Sequence, residues 1–296
     1  MKLIIRNFIT IILNLSIFFT AKTQSLHVFS MVDTKDFNRP DRNIDYDRIQ
    51  ETGKNIAKYI GLDYYAYNFG EEDAFSVNAL RNTVRNLKNI SCESDVIWFH
   101  FSGYGRNDKQ SSLPVLKLID GEISATEIIG NLQEKRPKML LITLESGNKI
   151  AEPKQLSNQI EDEIDAKEGE KLRRLKRSAL LPKESILEMK TVPSATTMAN
   201  YELLFKDFEG VKIVVMSSCD VGQTSNSNYT VGSEWLNQFS KAFEQLSKAG
   251  NTETSWENIS KKINTSIQNK FKGKQSPQIS IRNIAIKCVN PLDDDK

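Results

Sequence analysis

Asp95–Gly105 reads DVIWFHFSGYG, and Lys212–Ser225 reads KIVVMSSCDVGQTS. Each joins an apolar run to a turn rich in Ser and Gly. An apolar run without polar alternation predicts a strand covered on both faces, as in a parallel sheet. Four further runs flank these two: Leu26–Val32, Tyr64–Phe69, Met139–Leu144 and Gln278–Ile281. Between the runs the apolar period changes to that of a helix. Ile49, Ile56 and Ile60 precede a stop at Gly61, and Val77, Leu80, Val84 and Leu87 share one face. Ser124-Ala-Thr-Glu127 is a capping box. Trp235, Phe239, Phe243 and Leu246 form one stripe, and Trp256, Ile259, Ile263 and Ile267 another. Six strands alternating with helices predict a three-layer α/β domain, its six-stranded, mainly parallel sheet sandwiched between helices.

The composition agrees with such a domain. The 296 residues are 39% hydrophobic and 26% charged, enough for a core and against global disorder. Three Cys exclude a disulfide-built scaffold and leave one thiol unpaired. A formal charge of +2 lacks the basic footprint of a nucleic-acid binder. The start of the chain is read separately. Residues 1–24 carry Lys2, Arg6 and Lys22, no acid, and an apolar run from Phe8 to Phe19. About 20 apolar residues are needed to span a membrane, whereas a secretory signal needs only about 7–15. The expectation is a signal peptide over 1–24, a single domain over 25–296, export to the periplasm or the extracellular space, and no stable membrane span once the signal is removed.

One stretch breaks the alternation. From Glu152 to about residue 195 there is no strand-like run. Residues 161–170 hold six acids, and Lys171, Arg173, Arg174, Lys176 and Arg177 follow. The expectation is an exposed, charged insertion between the fourth and fifth strands, with too few apolar residues for its own core.

In parallel sheets, sites form at the carboxyl ends of the strands. Here those ends carry Asp33, Ser102-Gly103-Tyr104-Gly105, Glu145-Ser146-Gly147-Asn148 and Ser217-Ser218-Cys219-Asp220. With these residues in place, the chain resembles the caspase-like cysteine peptidases, in particular their bacterial caspase and metacaspase relatives. The run DVIWFHFSGYG is similar to the family's strand ending in Ser-Gly-His-Gly, and KIVVMSSCDVGQTS to a later strand with a Ser-rich turn. The resemblance covers about residues 26–285. It implies a His general base after the third strand and a Cys nucleophile after the fourth. An imidazole beside a thiol is needed to make a thiolate and to protonate the leaving amine.

The sequence departs from that pattern at both places. Tyr104 stands at the His position and Ser146 at the Cys position, so the resemblance implies a degenerate dyad. A phenol with a pKa of about 10 is a poor base for a thiol. Cys219 is the alternative nucleophile, but it lies one strand later and 115 residues after Tyr104, against about 50 in caspase-type enzymes. His27 and His100 are the only histidines, and both are read as packed strand residues. Asp33, Glu145 and Asp220 rim the same end of the sheet and are read as loop-capping acids. No metal or cofactor motif is found. The function expected is that of a peptidase homologue without activity, binding a peptide or protein partner. The alternative is an active cysteine endopeptidase built around Cys219.

Overall fold

The computed structural model describes residues 24–36, 39–70, 74–107, 109–150, 194–246 and 254–285. The expected signal peptide and nearly all of the expected insertion lie outside these residues. A six-stranded sheet runs through the middle, in the order β12-β9-β7-β3-β1-β2. Its strands are β1 (Ser25–Val32), β2 (Asp63–Asn68), β3 (Val96–Ser102), β7 (Met139–Glu145), β9 (Val211–Ser217) and β12 (Gln278–Ile284). The first five are mutually parallel, and only β12 is antiparallel to its neighbour. All seven residues of β3 and of β7 are buried.

Burial on both faces follows from the two-residue period of a strand. Val96 and Trp98 point to one side, where they join Met139, Leu141, Val214 and Met216. Helices α1 (Arg42–Ile60), α4 (Ala195–Phe205), α5 (Glu234–Leu246) and α6 (Trp256–Phe271) cover that side. Ile97, Phe99 and Phe101 point to the other, with Leu140, Ile142 and Ile213. Helices α2 (Val77–Asn86) and α3 (Ala125–Gln133) cover it. The three-layer α/β architecture expected from the sequence is therefore the one observed. Each fully buried Leu, Ile or Phe contributes roughly 1.5–3 kcal/mol of transfer free energy.

Local signals explain the helix limits. Gly61 ends α1 in the left-handed conformation at φ 65°, its N–H donating to Ala57 O. Ser124 Oγ caps α3 by accepting from Glu127 N at 3.0 Å. A smaller four-stranded sheet was not anticipated. It consists of β4 (Gly105–Asn107), β5 (Val115–Leu118), β6 (Gly121–Ser124) and β8 (Lys149–Ile150), in the order β6-β5-β4-β8. Two of its strands leave directly from the ends of β3 and β7, so it ties the loops after those strands together. A two-stranded ribbon, β10 (Ser227–Asn228) with β11 (Gly232–Ser233), follows β9.

Candidate functional site at the strand ends

The carboxyl ends of β1, β3, β7 and β9 meet on one side of the molecule. Ser102 is in register with Glu145, and Gly103 N donates to Glu145 O at 3.1 Å. The turns then press together so closely that a Cβ on Gly105 would lie 2.8 Å from Ser146 Oγ. The chain stretches carrying Tyr104 and Ser146 are thus neighbours, but their side chains have different fates. Tyr104 is 49% exposed, whereas Ser146 is 2% exposed and its Oγ has no hydrogen-bond partner. Gly147, next to Ser146 in the Glu145-Ser146-Gly147 turn where the Cys position is expected, occupies the opening between them. A Cβ there would meet Gly105 O at 3.4 Å and the Thr224 methyl at 3.9 Å, both ordinary contacts. Position 147 would present a side chain between the loops after β3 and β9, and it has none.

Tyr104 is held by charge. The Arg42 guanidinium lies 4.5 Å from its ring centroid, within cation–π range. Arg42 is itself buried, and its Nη1 donates to Asp33 and Asp36, each at 2.9 Å. Burial and a hydrogen bond to Asp36 push the Tyr104 phenol above its usual value, away from service as a base. The rim acids do not converge. Asp33 faces Arg42, Glu145 is buried, and Asp220 is exposed with its carboxylate accepting from Val221 N.

The histidines have structural partners. His100 is fully buried, its Nδ1 hydrogen-bonded to Thr143 Oγ1 at 2.9 Å, and burial pulls its pKa down to about 3. His27 Nε2 pairs with Ser25 Oγ and Nδ1 with Tyr67 Oη, at the start of β1. Cys219 has 0% exposure, and its Sγ donates to Ser146 O at 3.2 Å. Burial, then the nearby Glu145, push that thiol up to about 12.

The charges around Glu145 were missed by sequence reading. Arg39 forms a forked pair with Asp41, and Asp45 is fully buried on the first turn of α1. The only sequence signal was the alternation of Arg and Asp over residues 39–48, which ordinarily marks a solvated helix start. Among the described residues no group of three or more His, Cys, Asp or Glu could hold a metal ion. None of their helices is long and apolar enough to cross a membrane. Cavities of about 400, 580 and 600 Å³ lie between α2 and α3, between α5 and α6, and against the first residues of β1 and β2; no strand-end residue lines them.

Among known proteins, the chain is similar in fold to caspase-1 from Spodoptera frugiperda, with a TM-score of 0.50 and 12% identity over 88% of each chain. No curated protein matches it. A family model described as the caspase domain matches residues 35–287, a span that takes in the loops after β3, β7 and β9. The motifs after β3 and β9 lie inside that span, and the chain belongs to the caspase-domain family.

Proposed function

We propose that this chain is an exported caspase-domain protein without peptidase activity, which binds a peptide or protein partner in the strand-end cleft. The observation that carries the proposal is the pairing of Tyr104 and Ser146 at the two turns where the family resemblance places base and nucleophile. Ser146 Oγ is buried, with neither donor nor acceptor. A serine hydroxyl attacks a carbonyl only with a base beside it. The nearer histidine along β3, His100, lies four residues back, about 13 Å at the rise of a strand. Its Nδ1 is bonded to Thr143, and the ring is fully buried.

General acid–base assistance is worth roughly 10²–10⁴-fold, and the covalent step adds to it. Both contributions are missing at this site. Cys219 offers no substitute, because a thiol near pKa 12 supplies almost no thiolate at neutral pH. Export draws support from Cys92, which is disulfide-bonded and leaves Cys219 as the free thiol among the described residues. Disulfides persist chiefly in oxidising compartments.

The test is hydrolysis of a broad peptide library by the purified protein, with and without reductant. No turnover above buffer is expected. Robust turnover that disappears in Cys219→Ala would establish the alternative, an active cysteine endopeptidase. Partner binding is tested separately, by equilibrium binding of the same library to wild type and to Tyr104→Ala. Binding should weaken in the variant, and equal binding by both would place the partner elsewhere.

A further inference from the structure

The chain after β9 lines the cleft and is also fastened to a buried cluster of charges that the proposed function does not use. Ser225 Oγ donates to Glu145 Oε1. Arg39 Nη2 donates to Ser227 Oγ at 2.5 Å, and Arg48 Nη1 to Val231 O at 2.7 Å. Ser233 N donates to Asp45 Oδ1 at 2.8 Å. Gly232, at φ 70°, packs so tightly on Asp45 that any Cβ would collide with its carboxylate. The same segment reaches the cleft, since Asn148 N donates to Gln223 O at 2.9 Å and Gly222 N to Asn148 O at 2.8 Å. Residues 218–233 are therefore bonded to both the cleft turn and the charge cluster.

Within that cluster one carboxyl has an oxygen without a partner among the described residues. The Arg39 guanidinium is committed to Asp41 and Ser227. Arg48 faces Asp45 at 3.7 Å and holds Val231 O. At the start of α5, Glu234 is paired with Lys270 at 2.6 Å. From β3, Ser102 Oγ donates to Asp45 Oδ2 at 3.2 Å, and Tyr104 acts on the cluster only at a distance, through Arg39. From the β9 turn, Cys219 presents a neutral thiol. That leaves Glu145, 4% exposed, with Oε2 unpartnered and Asp45 as a like-charged neighbour, while the charge of Arg39 opposes these effects only weakly. A buried carboxylate in this position favours its protonated form.

We propose that Glu145, together with Asp45, is a proton latch: protonated, the pair holds Ser218–Ser233 closed against the cleft, and ionised, it releases the segment. The effect on a bound partner rests on the proposed function, whereas the latch itself does not. Burial, then Asp45, push Glu145 up to about 7, and burial pushes Asp45 up to about 6. In a released segment both carboxyls meet water and return to the ordinary acid range of about 4. The closed form thus holds the extra protons. Closure is fully favoured below the released-state values, weakens as pH rises through about 6 and about 7, and changes little beyond. The proton lost on opening goes to solvent.

Hydrogen exchange of the full chain, corrected for intrinsic rates, tests this. Amides of residues 218–233 should lose about tenfold or more protection between pH 5.5 and 8, since each displaced pKa unit is worth about tenfold. Amides of β3 should not change. Glu145→Gln should remove most of that loss and leave only the smaller step contributed by Asp45. Asp45→Asn removes the like charge and should move the remaining transition to lower pH. A flat profile in the wild type overturns the latch, as does an undiminished step in Glu145→Gln. Should that variant not fold, an unmoved midpoint in Asp45→Asn overturns it equally. None of these readouts involves a peptide, so a failure of the binding proposal would leave them standing.

Discussion

Ser146 and Gly147 are adjacent in the chain, yet a thiol placed at each would meet different surroundings. Residue 146 is 2% exposed beneath Gly105, while a side chain at 147 would stand in the opening between Gly105 and Thr224. Gly147 also lies outside the left-handed region, so a larger residue there is not strained. Reactivity follows thiolate fraction and access. In the folded protein a Gly147→Cys thiol should therefore react with an alkylating reagent at least about tenfold faster than a Ser146→Cys thiol. Wild-type Cys219 should stay unlabelled until the protein is unfolded. Mass spectrometry of the labelled peptides reads all three. Equal labelling at 146 and 147 would show that the turn after β7 is not set as described. Tyr104→His beside Gly147→Cys should accelerate labelling further at neutral pH, because an imidazole can take the proton that a phenol cannot.

At the scale of elements, what the sequence announced depended on how much each element buries. The central strands of the main sheet were legible because runs such as VIWFHFS and MLLITLE are buried on both faces, whereas the edge strands β2 and β12 are half exposed and showed only as short aromatic or apolar runs. Strands β8, β10 and β11 have two residues each and no period to read, and β4 has three. Helix α4, over ATTMANYELLF, carries apolar residues around much of its circumference and so shows no clear stripe. Asp41 stands where a cap belongs, but makes no side-chain capping bond because Arg39 holds its carboxylate. The turns bearing Tyr104 and Ser146 were found, but not which neighbour is buried, because that depends on the Gly105 contact across strands. Ser76, Ser124, Ser194 and Ser255 do cap their helices, each accepting from the N–H three residues on. Ser124→Ala and Ser255→Ala should each lower stability by about 1 kcal/mol. Asp41→Ala should lower it by more, because it strands the half-buried Arg39 guanidinium. Urea denaturation compares them, and equal losses for Asp41 and the serines would mean that Asp41 acts as an ordinary cap.

At the scale of the whole molecule, the order of strands in space decides what a break in the chain would do. Lys171, Arg173, Arg174, Lys176 and Arg177 lie between β7 and β9 in sequence, in the stretch whose composition predicts an exposed insertion. Limited trypsin digestion should cut there first. Everything from β1 to β7 then belongs to one fragment, and β9, β12 and helices α4 to α6 to the other. Yet β7 and β9 are direct neighbours, paired in register from Met139–Lys212 to Leu144–Ser217. Both cores also span the cut. Trp98 and Leu141 pack with Val214 and Trp235 on one face, and Leu140 and Ile142 with Ile213 and Val215 on the other. Separating the fragments would expose a strand edge, divide the first core roughly in half and strip β9 from the second. The nicked protein should therefore run as two bands under denaturing conditions but elute as one species of unchanged size on a native column. Fragments that part on the native column would mean that the β7–β9 seam does not hold the halves, and first cleavage at another site would mean that residues 171–177 are protected.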